Sequence, residues 1–194
     1  YNSGDSPPAS TDVNFLKAFL EICLDHGLKP VVGESTGPPF KTKAVLKNRG
    51  VTSMLKSLNI PLIILEEDEF VNVSIQGDFL ETIAIAKSCM KSDSIIYLPT
   101  LKTHRKARFS LSLKLAVGLT HIGERYALHQ SKLEEKVSEI NLALKPDLII
   151  MDGRKAFITG GPTMGDVVEP GILLASGDMI ALDLEAIKIL KSFP

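Results

Sequence analysis

Short apolar runs alternate with segments of helical periodicity along most of this 194-residue chain. Each run is long enough for a strand, and most lack the polar alternation of a strand with one face in water. This alternation predicts an α/β fold with a largely parallel central sheet and helices on both faces. The predicted strands cover residues 30–33, 61–65, 71–75, 94–99, 147–151 and 172–176. Predicted helices lie over 13–24, 45–58, 79–91 and 132–144, with a terminal helix within 176–190.

The composition is typical of one globular domain covering residues 1–194. The 22 basic and 23 acidic residues give a formal net charge of -1, which argues against nucleic acid or an anionic membrane as a partner. No apolar run reaches the roughly 18 residues of a membrane helix, and residues 1–10 lack a signal-peptide pattern. Cys23 and Cys89 lie in apolar patterns typical of free thiols, so we expect a cytoplasmic protein.

A cluster of cations and hydroxyls follows the strand predicted over 94–99. At the start of a helix such a cluster can hold a phosphate or carboxylate, because free N–H groups and the helix dipole add to the side-chain charges. Charge runs usually face solvent, so a solvated loop is an equally weighted alternative. The cluster comprises Thr100, Lys102, Thr103, His104, Arg105, Lys106, Arg108, Ser110 and Ser112.

The segment 152–165 is a second candidate. Asp152 follows an apolar strand, where a carboxylate can bind a metal, a ligand hydroxyl or a water. Gly160, Gly161 and Gly165 permit a close approach of the backbone to a ligand. The segment has neither the Walker ending nor the glycine spacing of a dinucleotide site. An ordinary Gly/Pro turn explains it equally well.

Other segments contain polar residues at places where ligands often bind. Glu34 and Ser35 end the first predicted strand, and ligands of open α/β sheets bind beyond the carboxyl ends of strands. Arg125 and His129 are four residues apart, so on one helix they could grip one anion together. A connecting loop and a polar helix surface are the alternatives. Asp183 lies inside an apolar helical pattern and needs a basic or donor partner, which favours a structural role.

The order of these segments resembles the uncharacterised family known as domain of unknown function 362. The resemblance extends over nearly the whole chain from residue 2 onward, and the Lys-Thr-His run after a strand is its most specific part. Its residues are Gly33-Glu34-Ser35, Pro99, Leu101-Lys102-Thr103-His104, Lys114 ahead of Gly118, Arg125, His129, Asp152-Gly153, Gly161-Pro162, Gly165, Asp178 and Asp183.

The resemblance implies little about activity, because that of the family is largely undefined. Many members carry a ferredoxin-type segment, which implies a ferredoxin-type partner or domain. Cys23 and Cys89 cannot supply a four-cysteine cluster, so we expect no iron–sulfur cluster held by this chain. Members also have a strand before the residue that matches Asn2. Together with the absence of an initial Met, this predicts that an N-terminal strand of a longer protein is missing.

We therefore hypothesise an enzyme that binds a small anionic metabolite in a cleft at the strand ends. His104 and His129 would donate or accept protons, because histidine titrates near neutral pH. Asp152 would orient a histidine or help to bind a divalent metal, and the family relatives suggest a redox link. The ligand-binding residues would be Lys102, Thr103, Lys114, Arg125, Glu34, Ser35 and Gly161.

The same residues also fit a non-catalytic module that binds a ligand or metal and docks onto an iron–sulfur electron carrier. A nucleic-acid interface at the basic stretch is disfavoured by the near-neutral net charge and by an aromatic content of 6%. Arg105, Lys106 and Arg108 have no counterpart in the family pattern, so we expect them to face water.

Overall fold

The computed structural model describes residues 8–37 and 40–194. Asn2 and the expected strand before it, like Pro38 and Pro39 in the loop after the first strand, lie outside the described residues. The helices span Val13–Asp25 (α1), Thr42–Asn48 (α2), Val51–Ser57 (α3), Lys87–Met90 (α4), Ser112–Leu115 (α5), Ile122–Leu128 (α6), Leu133–Ala143 (α7) and Met179–Lys191 (α8). The strands span Val32–Glu34 (β1), Leu62–Ile64 (β2), Phe70–Ser74 (β3), Thr82–Ala86 (β4), Ile96–Tyr97 (β5), Thr100–His104 (β6), Arg108–Phe109 (β7), Leu148–Phe157 (β8), Val167–Val168 (β9) and Ile172–Ser176 (β10).

Strand β8 is the centre of the largest sheet. Strands β5 and β6 pair with it in parallel, and β9 and β10 pair with it antiparallel. Strand β7 folds back on β6 as an antiparallel hairpin. Strands β1 and β2 form a separate parallel pair, and β3 and β4 an antiparallel one. With helices packed around the central sheet, the predicted α/β class is confirmed.

Three buried apolar clusters hold these elements together. The central cluster joins Leu101 of β6 and Met151 of β8 to Leu182 of α8. A second cluster packs β4 against the helices α6 and α7, and a third lies among α1, α2 and α3. Each fully buried aliphatic side chain contributes about 1.5–3 kcal/mol relative to an exposed one. Among the described residues, no helix has the length and apolar character needed to cross a bilayer.

The helix predicted over residues 79–91 is wrong. Thr82–Ala86 form strand β4, and only Lys87–Met90 form a helix. The apolar residues of this segment satisfy both a helical and an alternating pattern, which a short run cannot distinguish. Pairing with β3 decides the outcome, because it buries Ile83 and Ile85 on one face of a strand.

Two expectations about the candidate segments are also wrong. The basic cluster does not open a helix, because Thr100–His104 is strand β6 and the next helix begins at Ser112. Asp152 does not end its strand, because β8 continues to Phe157. In both places the ladder between β6 and β8 extends past the apolar run. The prediction that Arg105, Lys106 and Arg108 face water is confirmed, since all are exposed.

Asp183 of α8 is buried against the start of α5. Its carboxylate accepts hydrogen bonds from the backbone N–H of Ser112 at 2.9 Å and of Leu113 at 3.1 Å, and from the Ser112 hydroxyl. The partners are thus donors rather than a cation. Burial raises the pKa of Asp183, and the hydrogen bonds oppose that rise. This carboxylate fixes the start of the helix that carries Lys114.

Replacing this carboxylate should test its structural role. In Asp183→Ala the buried donors of Ser112 and Leu113 lose their acceptor, so we expect the free energy of unfolding to fall by about 3 kcal/mol. The matched control is Asp178→Ala, which removes the exposed cap of the same helix and should cost about 1 kcal/mol. Urea unfolding measures both values. Equal losses in the two variants would contradict the role of Asp183.

Candidate functional site

Lys102 and His104 lie two residues apart on β6, so their side chains leave the same face of the strand. Lys102 is 7% exposed and His104 is 8% exposed. Burying basic side chains is costly unless they find partners. The partners that each side chain has, or lacks, therefore define the chemistry of this region.

The Lys102 ammonium is held by the N-terminal segment of the described chain. Its Nζ donates a hydrogen bond to the carbonyl of Ala9 at 2.6 Å. Burial lowers the pKa of Lys102 to about 7; the charge of Lys114 lowers it further, and the carboxylate of Glu34 opposes the shift. Lys102 is therefore a partly neutral amine near neutral pH.

The ring of His104 has a defined tautomer. Its Nδ1 accepts hydrogen bonds from the backbone N–H groups of Lys106 at 3.1 Å and Ala107 at 3.0 Å. Since Nδ1 accepts, the ring hydrogen is on Nε2, which is a donor. Burial lowers the pKa of His104 to about 3, and the neighbouring charges of Lys114, His129 and Lys102 add to the shift. At neutral pH His104 is thus an uncharged hydrogen-bond donor.

His129, at the C-terminal cap of α6, has the opposite tautomer. Its Nδ1 lies 2.6 Å from the carbonyl oxygen of Arg125. A carbonyl only accepts, so Nδ1 carries the hydrogen and Nε2 has the free lone pair. Burial lowers the pKa of His129; the bond to Arg125 opposes this, and the charge of Lys114 adds to it. His129 can therefore accept a proton at Nε2.

Lys114 links this group of side chains. It is an electrostatic neighbour of His104, His129 and Lys102. Burial lowers its pKa to about 8. Within residues 8–37 and 40–194 its ammonium has no hydrogen-bond or ion-pair partner. We call Lys102, His104, Lys114 and His129 the Lys/His cluster.

Arg125 and Ser35 fasten the loop after β1 beside this cluster. The Arg125 guanidinium donates to the carbonyls of Thr120 at 3.0 Å, Gly118 at 2.9 Å and Thr36 at 3.4 Å. The Ser35 hydroxyl donates to the same Gly118 carbonyl at 2.6 Å. Burial lowers the pKa of Arg125, and the carboxylates of Glu66 and Glu34 oppose that shift. These contacts hold the ends of β1 and α6 together.

Glu66 is a residue that sequence reasoning missed. Its carboxylate accepts hydrogen bonds from the Thr36 backbone N–H at 3.1 Å and from the Thr42 hydroxyl. Glu66 follows β2, which pairs in parallel with β1. The rule that polar residues at the carboxyl ends of parallel strands meet could therefore have found it. The Ala9 carbonyl had no such signal, because a backbone oxygen leaves no trace in side-chain patterns.

The loop that contains Gly161 packs against β6. A Cβ added to Gly161 would lie 2.0 Å from the carbonyl oxygen of Thr103, and the φ angle of Gly161 is +71°. Its N–H donates to the carbonyl of Met164 at 2.7 Å. The Thr103 hydroxyl beside it is buried and has no hydrogen-bond partner among the described residues. The Gly-rich loop is thus brought next to the strand that carries the Lys/His cluster.

The carboxylate of Asp152 is held by an arginine. Its carboxylate accepts hydrogen bonds from Arg154 Nε at 2.9 Å and Nη2 at 2.7 Å, and Arg154 also contacts Asp12 at 3.2 Å. These residues border a cavity of about 410 Å³ that Thr100, Lys155 and Glu169 help to line. That Asp152 shares one cleft with the Lys/His cluster stays a prediction.

The described part of the chain contains no group of three or more His, Cys, Asp or Glu side chains that could hold a metal ion. Cys23 is buried and Cys89 is half-buried. Burial raises the pKa of both thiols, which keeps them protonated. A metal role for Asp152 stays a prediction.

The fold and these side chains define an α/β protein with buried and half-buried lysines and histidines beside its central sheet. The family model described as "Domain of unknown function (DUF362)" matches residues 1–188, and the chain belongs to this family. The chain is also 30% identical over 184 residues to a thylakoid-associated protein of Synechocystis sp.. That alignment covers 91% of this chain and 56% of the relative, so the chain spans little more than half of that protein.

The depressed pKa of His104 predicts how stability depends on pH. Below its ordinary value of 6.5 the unfolded ring takes a proton, whereas the folded ring does not until about pH 3. His104 therefore makes the free energy of unfolding fall as the pH drops through this window. Between pH 7 and pH 5 we expect His104 to lower the free energy of unfolding by about 2 kcal/mol, and His104→Gln should abolish this contribution. Urea unfolding at several pH values measures this, and parallel curves for both proteins would contradict it.

The close contact at Gly161 predicts a large effect of a small substitution. Gly161→Ala should lower the free energy of unfolding by about 3 kcal/mol, because the methyl group meets the Thr103 carbonyl and φ is positive. The control is Gly171→Ala, where φ is +69° but no atom lies within 4 Å. It should cost about 1 kcal/mol. Thermal unfolding of the two variants tests the difference, and similar losses would show that only the backbone angle matters.

Proposed function

We propose that this chain is an enzyme domain that binds a small anionic metabolite at the Lys/His cluster and moves a proton on it. The observation that carries the proposal is that the two histidines adopt opposite tautomers. Nδ1 of His104 accepts hydrogen bonds and Nδ1 of His129 donates one. Their Nε2 atoms are left as a donor and an acceptor, which are the two groups that proton transfer requires.

Lys102 and Lys114 support binding of an anion. Lys102 finds backbone carbonyls, and Lys114 has no partner in the described part of the chain. Unpaired positive charge in a desolvated place is unfavourable, so an anion that pairs with it gains a strong charge-assisted interaction. The same anion would raise the pKa of both amines. A carboxylate or phosphate group of the metabolite would fill this role.

The histidines support a chemical step rather than binding alone. His129 would act as the general base through Nε2. His104 would donate a hydrogen bond from Nε2 to an oxygen on which negative charge develops, and its low pKa keeps the ring neutral while it does so. Such a pair suits removal of a proton beside a carbonyl, or transfer of a proton during addition to one.

The other predicted site residues would support this cluster. Ser35 and Arg125 would hold the loop after β1 in place, and Glu34 would tune the charge of Lys102. A ligand role for Thr103 stays a prediction, because its side chain leaves the face of β6 opposite to Lys102 and His104. Gly161 would let its loop close against β6. Asp152 would serve the cavity that it lines, where a divalent metal stays a prediction.

The cellular location and the protein partners are separate from the site chemistry. A cytoplasmic location stays a prediction, because the relative named above is described as thylakoid-associated. A ferredoxin-type partner likewise stays a prediction of the family resemblance. Neither is required for the proposed chemistry.

Anion binding tests the proposal directly. Inorganic phosphate and pyruvate should raise the melting temperature of the wild-type protein, and the affinity should fall as the pH rises past 8, because Lys114 then loses its charge. Lys114→Gln should weaken binding about tenfold or more. The matched control is Lys145→Gln, which removes an exposed lysine and should bind like the wild type. Calorimetric titration measures the affinities.

The titrations and a separate exchange measurement distinguish three outcomes. If neither anion binds, or if Lys114→Gln and Lys145→Gln bind alike, the proposed anion site is wrong. Proton transfer is followed separately, as exchange of the pyruvate methyl hydrogens for deuterium in heavy water. Exchange that His129→Gln abolishes without loss of binding supports an enzyme. Binding without any exchange favours a non-catalytic module.

A further inference from the structure

The side chain of Lys114 combines features of a nucleophilic amine. It is half-buried, and its charge lowers the pKa of the neighbouring Lys102. The Lys102 amine is held by the Ala9 carbonyl, whereas that of Lys114 has no acceptor within the described residues. The lone pair of the neutral Lys114 amine is therefore more accessible than that of Lys102. Desolvation next to a second cation is one of the established ways to activate a lysine.

The surroundings of Lys114 supply the other groups that an amine needs in order to react. His129 offers a lone pair at Nε2 and His104 a hydrogen at Nε2, and both rings are electrostatic neighbours of Lys114. A cavity of about 220 Å³ borders Lys114. Most of its lining is apolar, and Arg108, Glu134 and Asp183 contribute charged side chains. This cavity has room for the body of a small molecule.

We propose that Lys114 forms an imine with the carbonyl carbon of a small 2-oxo acid. The inference rests on the proposed anion site and names the substrate class for it. A 2-oxo acid places its carboxylate directly beside its carbonyl. While Lys114 attacks the carbonyl, the neighbouring Lys102 can pair with the carboxylate, and the side chain of the acid can enter the mostly apolar cavity.

The step balances without an oxidant or reductant. The Nζ lone pair of Lys114 forms a bond to the carbonyl carbon as the carbon–oxygen π bond breaks, and the Nε2 hydrogen of His104 stabilises the oxygen. Nε2 of His129 takes a proton from the nitrogen and returns it to that oxygen. The second amine hydrogen follows the same route, so the oxygen leaves as water with both hydrogens and a carbon–nitrogen double bond remains. The reverse sequence restores the amine.

Trapping with sodium borohydride tests the imine. Incubation of the wild-type protein with pyruvate and borohydride should add one reduced pyruvate unit per chain, which peptide mapping by mass spectrometry should place on Lys114. Trapping should rise about fivefold from pH 7 to pH 8, because the neutral fraction of an amine with a pKa of about 8 rises by that factor. Anion affinity should change in the opposite direction over the same range. His129→Gln should slow trapping by about a hundredfold.

The control variants separate this inference from the proposed function. Lys114→Arg keeps a positive charge and should bind phosphate but form no adduct. Lys145→Arg should be trapped like the wild type. Circular dichroism checks that both variants fold. If one variant does not fold, the position of the adduct in the wild-type peptide map and the pH dependence of its formation still test the imine.

Other results would overturn the imine. An adduct on Lys102, or scattered over exposed lysines to the same extent in Lys114→Arg, would rule out Lys114 as the nucleophile. If pyruvate binds and no adduct forms, the imine is wrong and the anion site stands. If neither phosphate nor pyruvate binds and no adduct forms, both proposals fall.

Discussion

The pairing of β6 with β8 is the constraint on which the rest of the structure depends. It places Leu101 in the central core and commits the next residues of β6 to an extended conformation. Lys102 and His104 then leave the same face of the strand in a buried place. Polar groups there must be satisfied, and the N-terminal segment, the hairpin to β7 and the loop of Gly161 all fold against β6.

Burial also determines the chemical character of the Lys/His cluster. Outside a protein, two lysines and two histidines near pH 7 would be a set of cations and weak bases. Desolvation instead favours the neutral forms of all four side chains, and the charge of Lys114 adds to this effect on Lys102, His104 and His129. Neutral groups of this kind can accept, donate and attack, whereas the charged forms could only bind. The fold therefore turns a basic patch into a place where proton transfer is feasible.

Interpretation of the sequence succeeded where a pattern had only one physical solution. The helices predicted over 13–24 and 132–144 correspond to α1 and α7, because their apolar residues recur with helical spacing over three or more turns. The prediction of a helix around Ile83 and Ile85 failed, because the pattern fits helix and strand equally and pairing with the partner strand decides. The prediction that Asp152 ends its strand failed for a related reason, because pairing with a neighbouring strand can extend a strand past its apolar run. The family resemblance selected the Lys/His cluster together with Asp152, whose carboxylate is held by Arg154.

The sequence by itself determined the α/β class, the helices α1 and α7, the exposure of Arg105, Lys106 and Arg108, and membership of an uncharacterised family. These follow from local periodicity, local hydrogen bonds and residue order, which the sequence contains directly. Only the tertiary structure decided which basic residues are buried together, which tautomer each histidine adopts and which amine lacks an acceptor. Those properties depend on contacts between residues far apart in the chain, such as Lys102 with the carbonyl of Ala9, because burial and backbone partners are produced by packing and leave no local pattern.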